Sequence, residues 1–103
     1  MGVTLEKSEA LSLIRLVGAI DISCAAELKG LLLQALAAGG EVRISLDGAE
    51  DLDVTAVQLL WAAGREARRS EVRFALAGEV PGPIAAAVAD AGFEEFPVPV
   101  YAG

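Results

Sequence analysis

Histidine is absent from this sequence, cysteine and tryptophan occur once each, and only 5% of residues are aromatic. Without histidine, Ser-His-Asp and Cys-His catalysis are excluded. The usual catalytic zinc sites each contain at least one His and are equally disfavoured. A single cysteine, Cys24, permits no internal disulfide and no thiolate metal cluster. Positive charge is scarce: 8 Lys+Arg against 15 Asp+Glu give a net charge of −7. That balance argues against nucleic-acid binding through phosphate contacts. Long uncharged runs are also missing. The longest, Gly30–Gly40 and Val54–Gly64, have 11 residues each, whereas a membrane-spanning helix needs about 20. The opening Met1-Gly2-Val3-Thr4-Leu5-Glu6 has no basic region followed by an apolar run, so no signal peptide is expected. Neither G-x-x-x-x-G-K-[ST] nor G-x-G-x-x-G occurs, and no nucleotide cofactor is announced. These absences predict a cytoplasmic binding module without a cofactor, and not an enzyme.

What is present is apolar and alternating. The 103 residues suit one domain, 1–103, and an apolar fraction of 54% excludes intrinsic disorder. Val3–Glu6 and Leu11–Val17 read as strands of a hairpin joined by Lys7-Ser8-Glu9-Ala10, with Gly18 expected to break the second. Leu11, Leu13, Arg15 and Val17 share one face of that second strand; Ser12, Ile14 and Leu16 share the other. Neither face is fully polar, which predicts an interior strand. Leu28, Leu31, Leu32, Ala35 and Leu36 recur at helical spacing, and Gly39-Gly40 stops that helix. Val42, Ile44 and Leu46 alternate with polar residues as a strand over Glu41–Leu46, and Asp47–Asp53 reads as an acidic loop.

A second helix is predicted from about Thr55 to Arg69, with Val57, Leu60, Trp61, Gly64 and Ala67 as its apolar stripe. Val72–Leu76 forms a further strand, and a third helix follows over Ile84–Ala91, entered through Pro81 and Pro83. Phe93–Tyr101 contains two prolines and allows at most a short edge strand. The order β-β-α-β-α-β-α predicts an α/β fold, a mixed sheet of four to five strands with three helices. Leu13, Leu28, Leu32, Ile44, Leu46, Leu60, Val72 and Leu76 are the expected core.

Few residues offer chemistry. Asp21 and Ser23 suit the start of the first helix, and Asp53 and Thr55 the start of the second. Either pair is a helix cap, a recognition site, or both, because a helix N-terminus presents free backbone N–H groups. The carboxylates of Asp47–Asp53 do not follow the alternating ligand spacing of an EF-hand, so no metal is expected there. Cys24 reads as a small hydrophobe. Trp61 is either a core residue or a partner anchor. Arg65, Arg68, Arg69 and Arg73 are the one basic concentration, reading as a solvated helix end or as a mate for a partner's acidic surface.

Three stretches together resemble the STAS family, the sulfate-transporter and anti-sigma-factor-antagonist domains. The first is the strand ending in Gly18-x-x-Asp21, followed by a helix with Leu28. The second is the strand Val42–Leu46, followed by Gly48-x-x-x-Leu52-Asp53. The third is Asp53-Val54-Thr55-Ala56-Val57, standing where the family has Asp-Ser-Ser/Thr-Gly-Leu. The resemblance covers about Leu11 to Phe96. It implies a non-enzymatic protein-binding switch of bacterial signalling. The implied partner is a serine kinase that doubles as an anti-sigma factor, or another signalling protein, and phosphorylation after the motif Asp alters binding. Other single-domain members are accessory subunits of lipid-transport ATPases at the inner membrane, which is the alternative implication. The chain departs from the pattern at the phosphorylated position: Val54 has no hydroxyl, Thr55 matches the second Ser/Thr and Ala56 replaces the Gly. The expected binding surface is Asp21, Ser23, Asp53, Val54, Thr55 and Trp61, held in one constitutive state.

Overall fold

The computed structural model describes residues 2–78, 80–90 and 92. Four strands and three helices follow in the order β1 (Gly2–Lys7), β2 (Leu11–Ile20), α1 (Ile22–Ala38), β3 (Glu41–Leu52), α2 (Val54–Arg69), β4 (Arg73–Leu76) and α3 (Gly82–Asp90). The strands form one sheet in the order β1-β2-β3-β4, so β2 is interior as its two apolar faces require. β1 pairs antiparallel with β2, while β2–β3 and β3–β4 are parallel. The expected edge strand within Phe93–Tyr101 lies outside the described residues.

Both parallel steps move in the same direction across the sheet. Right-handed crossovers then put α1 and α2 on one face, and the two helices do pack directly on each other. α1 also covers β1 and β2, α2 covers β4, and α3 packs on β3 and α2. Ile14, Leu16, Val42, Ile44, Phe74 and Leu76 line the sheet side of one continuous core. Leu28, Leu32, Ala35, Val57, Leu60, Ile84 and Val88 meet them from the helices.

The structure revises the packing expected at three residues, Leu13, Val72 and Trp61. On β2 the buried side is Ser12, Ile14, Leu16 and Ile20; Leu13 is half-buried on the opposite face, beside exposed Arg15 and Val17. Val72, just before β4, is also half-buried. The other six expected core residues are buried. Trp61 leaves the apolar stripe of α2, whose buried members are Ala56, Val57, Leu60, Ala63 and Ala67.

The largest revision concerns strand length. β2 continues through Gly18, which takes φ +79, and β3 continues through the acidic segment to Leu52. Two register shifts make this possible. Between Arg15↔Ser45 and Val17↔Gly48, and again between Gly18↔Ala49 and Ala19↔Asp51, β3 spends one more residue than β2. The bulges change the inward spacing of β3 from two residues to three, so Leu46, Ala49 and Leu52 are buried while Asp47, Glu50 and Asp51 face water. A segment with that spacing does not alternate, and it therefore reads as a loop.

The turn after α1 is fixed by close approach. Gly40 takes φ +74, and a Cβ there would lie 2.7 Å from the Ala10 carbonyl oxygen. The next residue, Glu41, donates its N–H to that same oxygen at 2.8 Å. Replacing Gly40 by Ala is expected to destabilise by about 1 kcal/mol or more. Gly30, mid-helix with nothing within 4 Å of a built Cβ, should instead gain up to about 1 kcal/mol as Ala. Urea unfolding of the two variants should move their midpoints in opposite directions. Leu60→Ala, at a fully buried site, should cost about 2–5 kcal/mol in the same experiment; a smaller loss would place Leu60 outside the core.

Candidate partner-binding site

β2 and β3 end level with each other. Ile20 and Leu52 are register partners, and the Asp53 N–H donates to the Ile20 carbonyl at 2.9 Å. Each strand then turns into a helix through a carboxylate. Asp21 has extended backbone and its Oδ1 accepts the Ser23 N–H at 3.0 Å and the Ser23 hydroxyl proton. Asp53, also extended, accepts the Thr55 N–H on Oδ2 at 3.0 Å. Its carbonyl accepts the Val57 N–H at 3.0 Å, the first helical bond of α2. Two helix N-termini thus stand side by side at the carboxyl ends of neighbouring parallel strands, where open α/β sheets generally bind their ligands.

The two starts are chemical copies. Asp21-Ile22-Ser23 and Asp53-Val54-Thr55 each run carboxylate, β-branched aliphatic, hydroxyl. In each, the carboxylate caps the N–H two residues on. The aliphatic residue is the first of its helix and points to water: Ile22 is 72% and Val54 49% exposed. Sequence reasoning singled out Val54 but missed Ile22. The repeated triplet is the signal that would have found it.

The Ser23 hydroxyl, then its backbone N–H, hold the Asp21 carboxyl below its ordinary pKa, with a smaller contribution from Cys24. Cys24 itself is partly buried and packs against the core. Asp51 accepts the N–H of its neighbour Leu52 at 2.8 Å. The acids of β3 are spread along the bulged strand, and among the described residues no three His, Cys, Asp or Glu side chains come together to hold a metal ion.

Asp21, Ser23, Asp53, Val54 and Thr55 are therefore brought to one edge. Trp61 is not part of that cluster. It lies about 10 Å further along α2, 43% exposed, with the Arg65 guanidinium stacked 4.9 Å from its ring centroid. Arg68 and Arg69 occupy the last turn of α2, where the helix dipole favours cations.

The profile of a protein family described as "Mlab, STAS domain" matches residues 3–99. The chain belongs to the STAS domain family. Among solved structures, the anti-sigma factor antagonist SpoIIAA in its unphosphorylated form shares the fold, with a TM-score of 0.69 and 20% identity over 78% of this chain and 76% of that one. A crystal structure named Mglu also matches, with a TM-score of 0.63 and 20% identity over 79% of this chain but only 20% of the larger one. No curated protein matches the chain significantly in sequence. The mixed sheet with three helices is thus the STAS fold, and Val54 opens the second helix directly after its capping Asp53. Among the described residues no helix is long and apolar enough to cross a membrane.

The Asp21 cap makes stability pH-dependent in a defined sense. Its folded-state pKa is depressed, so its contribution is complete above the ordinary carboxylate value and is lost as pH falls through the depressed one. NMR titration of the Asp21 side-chain carboxyl carbon should give a midpoint below the ordinary aspartate value. Ser23→Ala should raise the Asp21 midpoint; an unmoved midpoint would refute the role given to the hydroxyl.

Proposed function

We propose that this STAS domain, spanning 1–103, is a non-enzymatic protein-interaction module of bacterial cytoplasmic signalling, anti-sigma factor antagonist-like and held permanently in its binding state. Its partner surface is the paired helix starts, with Asp21, Ser23, Asp53, Val54 and Thr55 at the centre and Trp61 on the flank. The partner is a serine kinase that also acts as an anti-sigma factor, or a related signalling protein.

The observation that carries this reading is Val54. It stands at the first position of α2, half-exposed beside its capping carboxylate, where the family resemblance calls for a phosphorylated hydroxyl. Phosphoryl transfer needs an oxygen nucleophile in line with the γ-phosphate, and an isopropyl group offers none. Thr55 follows, but one helical residue turns its side chain about 100° away, and it is half-buried behind the Asp53 cap. The site therefore has recognition chemistry without the usual acceptor.

A second reading is favoured by Ile22. Two exposed aliphatic residues at the same edge suit an interface that forms once and stays, since permanent interfaces are more apolar than transient ones. On this reading the chain is an accessory subunit of a lipid-transport ATPase, bound at the inner face of the membrane.

Incubation with ATP and a serine kinase that modifies hydroxyl-bearing STAS proteins should leave the wild-type mass unchanged. Val54→Ser should gain one phosphate, because Ser is well tolerated at a helix start. A phosphate on wild type, mapped to Thr55, would overturn the constitutive reading. Val54→Asp should keep the fold, since the N-terminal dipole favours an acid, yet lose the partner in a pull-down from native lysate. If the lost band is an ATPase that resists high-salt washing, the second reading replaces the first.

A further inference from the structure

Away from the paired caps, α1 and α2 leave an open apolar groove of about 340 Å³ between them. Buried Leu32 and Ala63 form its floor, Leu33 and Leu36 one wall, and Leu59 and Ala62 the other. Leu33 stands 57% exposed on the rim. On the α2 side the groove passes into a second hollow of about 200 Å³, lined by Trp61, Ala62, Arg65, Glu66 and Arg69. The two hollows share Ala62 and Glu66. They form one continuous surface, apolar between the helices and basic along α2.

The charges around this surface are unequal. Lys29 on α1 and Arg65 and Arg69 on α2 stand against one carboxylate, Glu66, which itself lies 3.9 Å from Arg69. The chain as a whole carries a net charge of −7, so this rim is opposite in sign to the rest of the molecule. Trp61 holds one of the bases in place. The Arg65 guanidinium lies 4.9 Å from its ring centroid, a contact that positions a cation without neutralising it. A positive rim selects a negative visitor. An anionic membrane is flat and meets the charge of the whole chain, and a second copy of net charge −7 is repelled in the same way. A single acidic segment lying in the groove meets mainly the local bases, because more distant charges are screened.

The walls decide the backbone of that segment. Both are helices, whose N–H and C=O groups are bonded internally, so the groove offers nothing to the backbone of an extended chain. A strand buried there would leave its own polar groups unpaired, whereas a helix satisfies them itself. From Lys29 to Leu36 the groove runs about 10 Å, or two helical turns, which suits a stripe of apolar residues at i, i+3, i+4 and i+7. We propose that the groove between α1 and α2 receives an acidic amphipathic helix of a partner protein. Its apolar stripe lies against Leu33, Leu36, Leu59 and Ala62, and carboxylates on its flanks meet Lys29, Arg65 and Arg69. The proposal stands independently of the function assigned to the caps.

Trp61 is the sole tryptophan, and its fluorescence reports on this surface. The probe is a synthetic peptide of about 15 residues, long enough to form a helix, with leucines at i, i+3, i+4 and i+7 and glutamates flanking them. A twin peptide carries lysine at every glutamate. Titrated into the full chain, the glutamate peptide should shift the Trp61 emission and move the amide NMR signals of Leu33, Leu36 and Ala62. It should bind about tenfold more tightly than the lysine twin. Leu33→Asp, at an exposed helical position, should abolish binding with an unchanged circular dichroism spectrum. Arg65→Glu combined with Arg69→Glu should weaken the glutamate peptide about tenfold and reverse the preference, so that the lysine twin binds this variant more tightly. Equal binding of the two peptides overturns the proposal, as do amide shifts confined to the capped edge around Asp21 and Asp53. A glutamate peptide that stays unbound at millimolar concentration overturns it equally. Capture by phosphatidylglycerol vesicles that Leu33→Asp abolishes would make the occupant a membrane, and a dimer in sedimentation velocity that Leu33→Asp abolishes would make it a second copy; either result overturns the proposal.

Discussion

Everything distinctive at the capped edge depends on β2 and β3 ending level. Left to regular pairing, the longer strand would overshoot its neighbour and α2 would begin away from α1. Two extra residues taken up in β3 as bulges cancel the mismatch and bring Leu52 opposite Ile20. From that single alignment follow the hydrogen bond from Asp53 to Ile20, the adjacent carboxylate caps, the exposed Ile22 and Val54 beside one another, and the common starting level of two parallel helices. Bulges next to functional edges are a recurrent means of aiming side chains, and here they aim two helices.

The capped edge also explains how the site tolerates a valine. The position after a capping Asp is a first-turn position whose own N–H needs no intrahelical partner, and its side chain projects into solvent. Valine costs the helix little there. What the position presents is an exposed aliphatic surface beside a capping carboxylate, with no hydroxyl.

Much of this was legible in the sequence, and the misses have physical causes. Helical spacing located α1, α2 and α3 to within a few residues, because each buries one stripe against a single sheet. Asp21 and Asp53 were readable as caps, since a carboxylate two residues before a free N–H has few other uses. The acidic stretch of β3 was not readable as a strand. Bulges spaced its buried residues at Leu46, Ala49 and Leu52, and no period of two survives that. Periodicity alone places Leu13 inward and leaves Trp61 between core and partner anchor. On β2 both faces are apolar in sequence, and only the direction in which the crossovers wrap decides that Ile14 and not Leu13 meets the helices. Trp61 borders the buried stripe of α2, and its bulk is accommodated outside, under Arg65.

The contact of Gly40 with Ala10 bears on the order in which the chain assembles. The hairpin β1–β2 closes over a three-residue turn, whereas pairing β2 with β3 must bring together residues as far apart as Leu11 and Glu41. Loop closure costs more entropy for the longer segment, and the first bond of that pairing is the one from Glu41 to the Ala10 carbonyl. The acceptor belongs to the hairpin turn itself. A side chain at position 40 would obstruct that approach. Loop-closure entropy therefore favours the hairpin forming before the parallel pairing of β2 with β3. The paired helix starts, where Ile20 meets Leu52, lie at the other end of the parallel ladder from that bond.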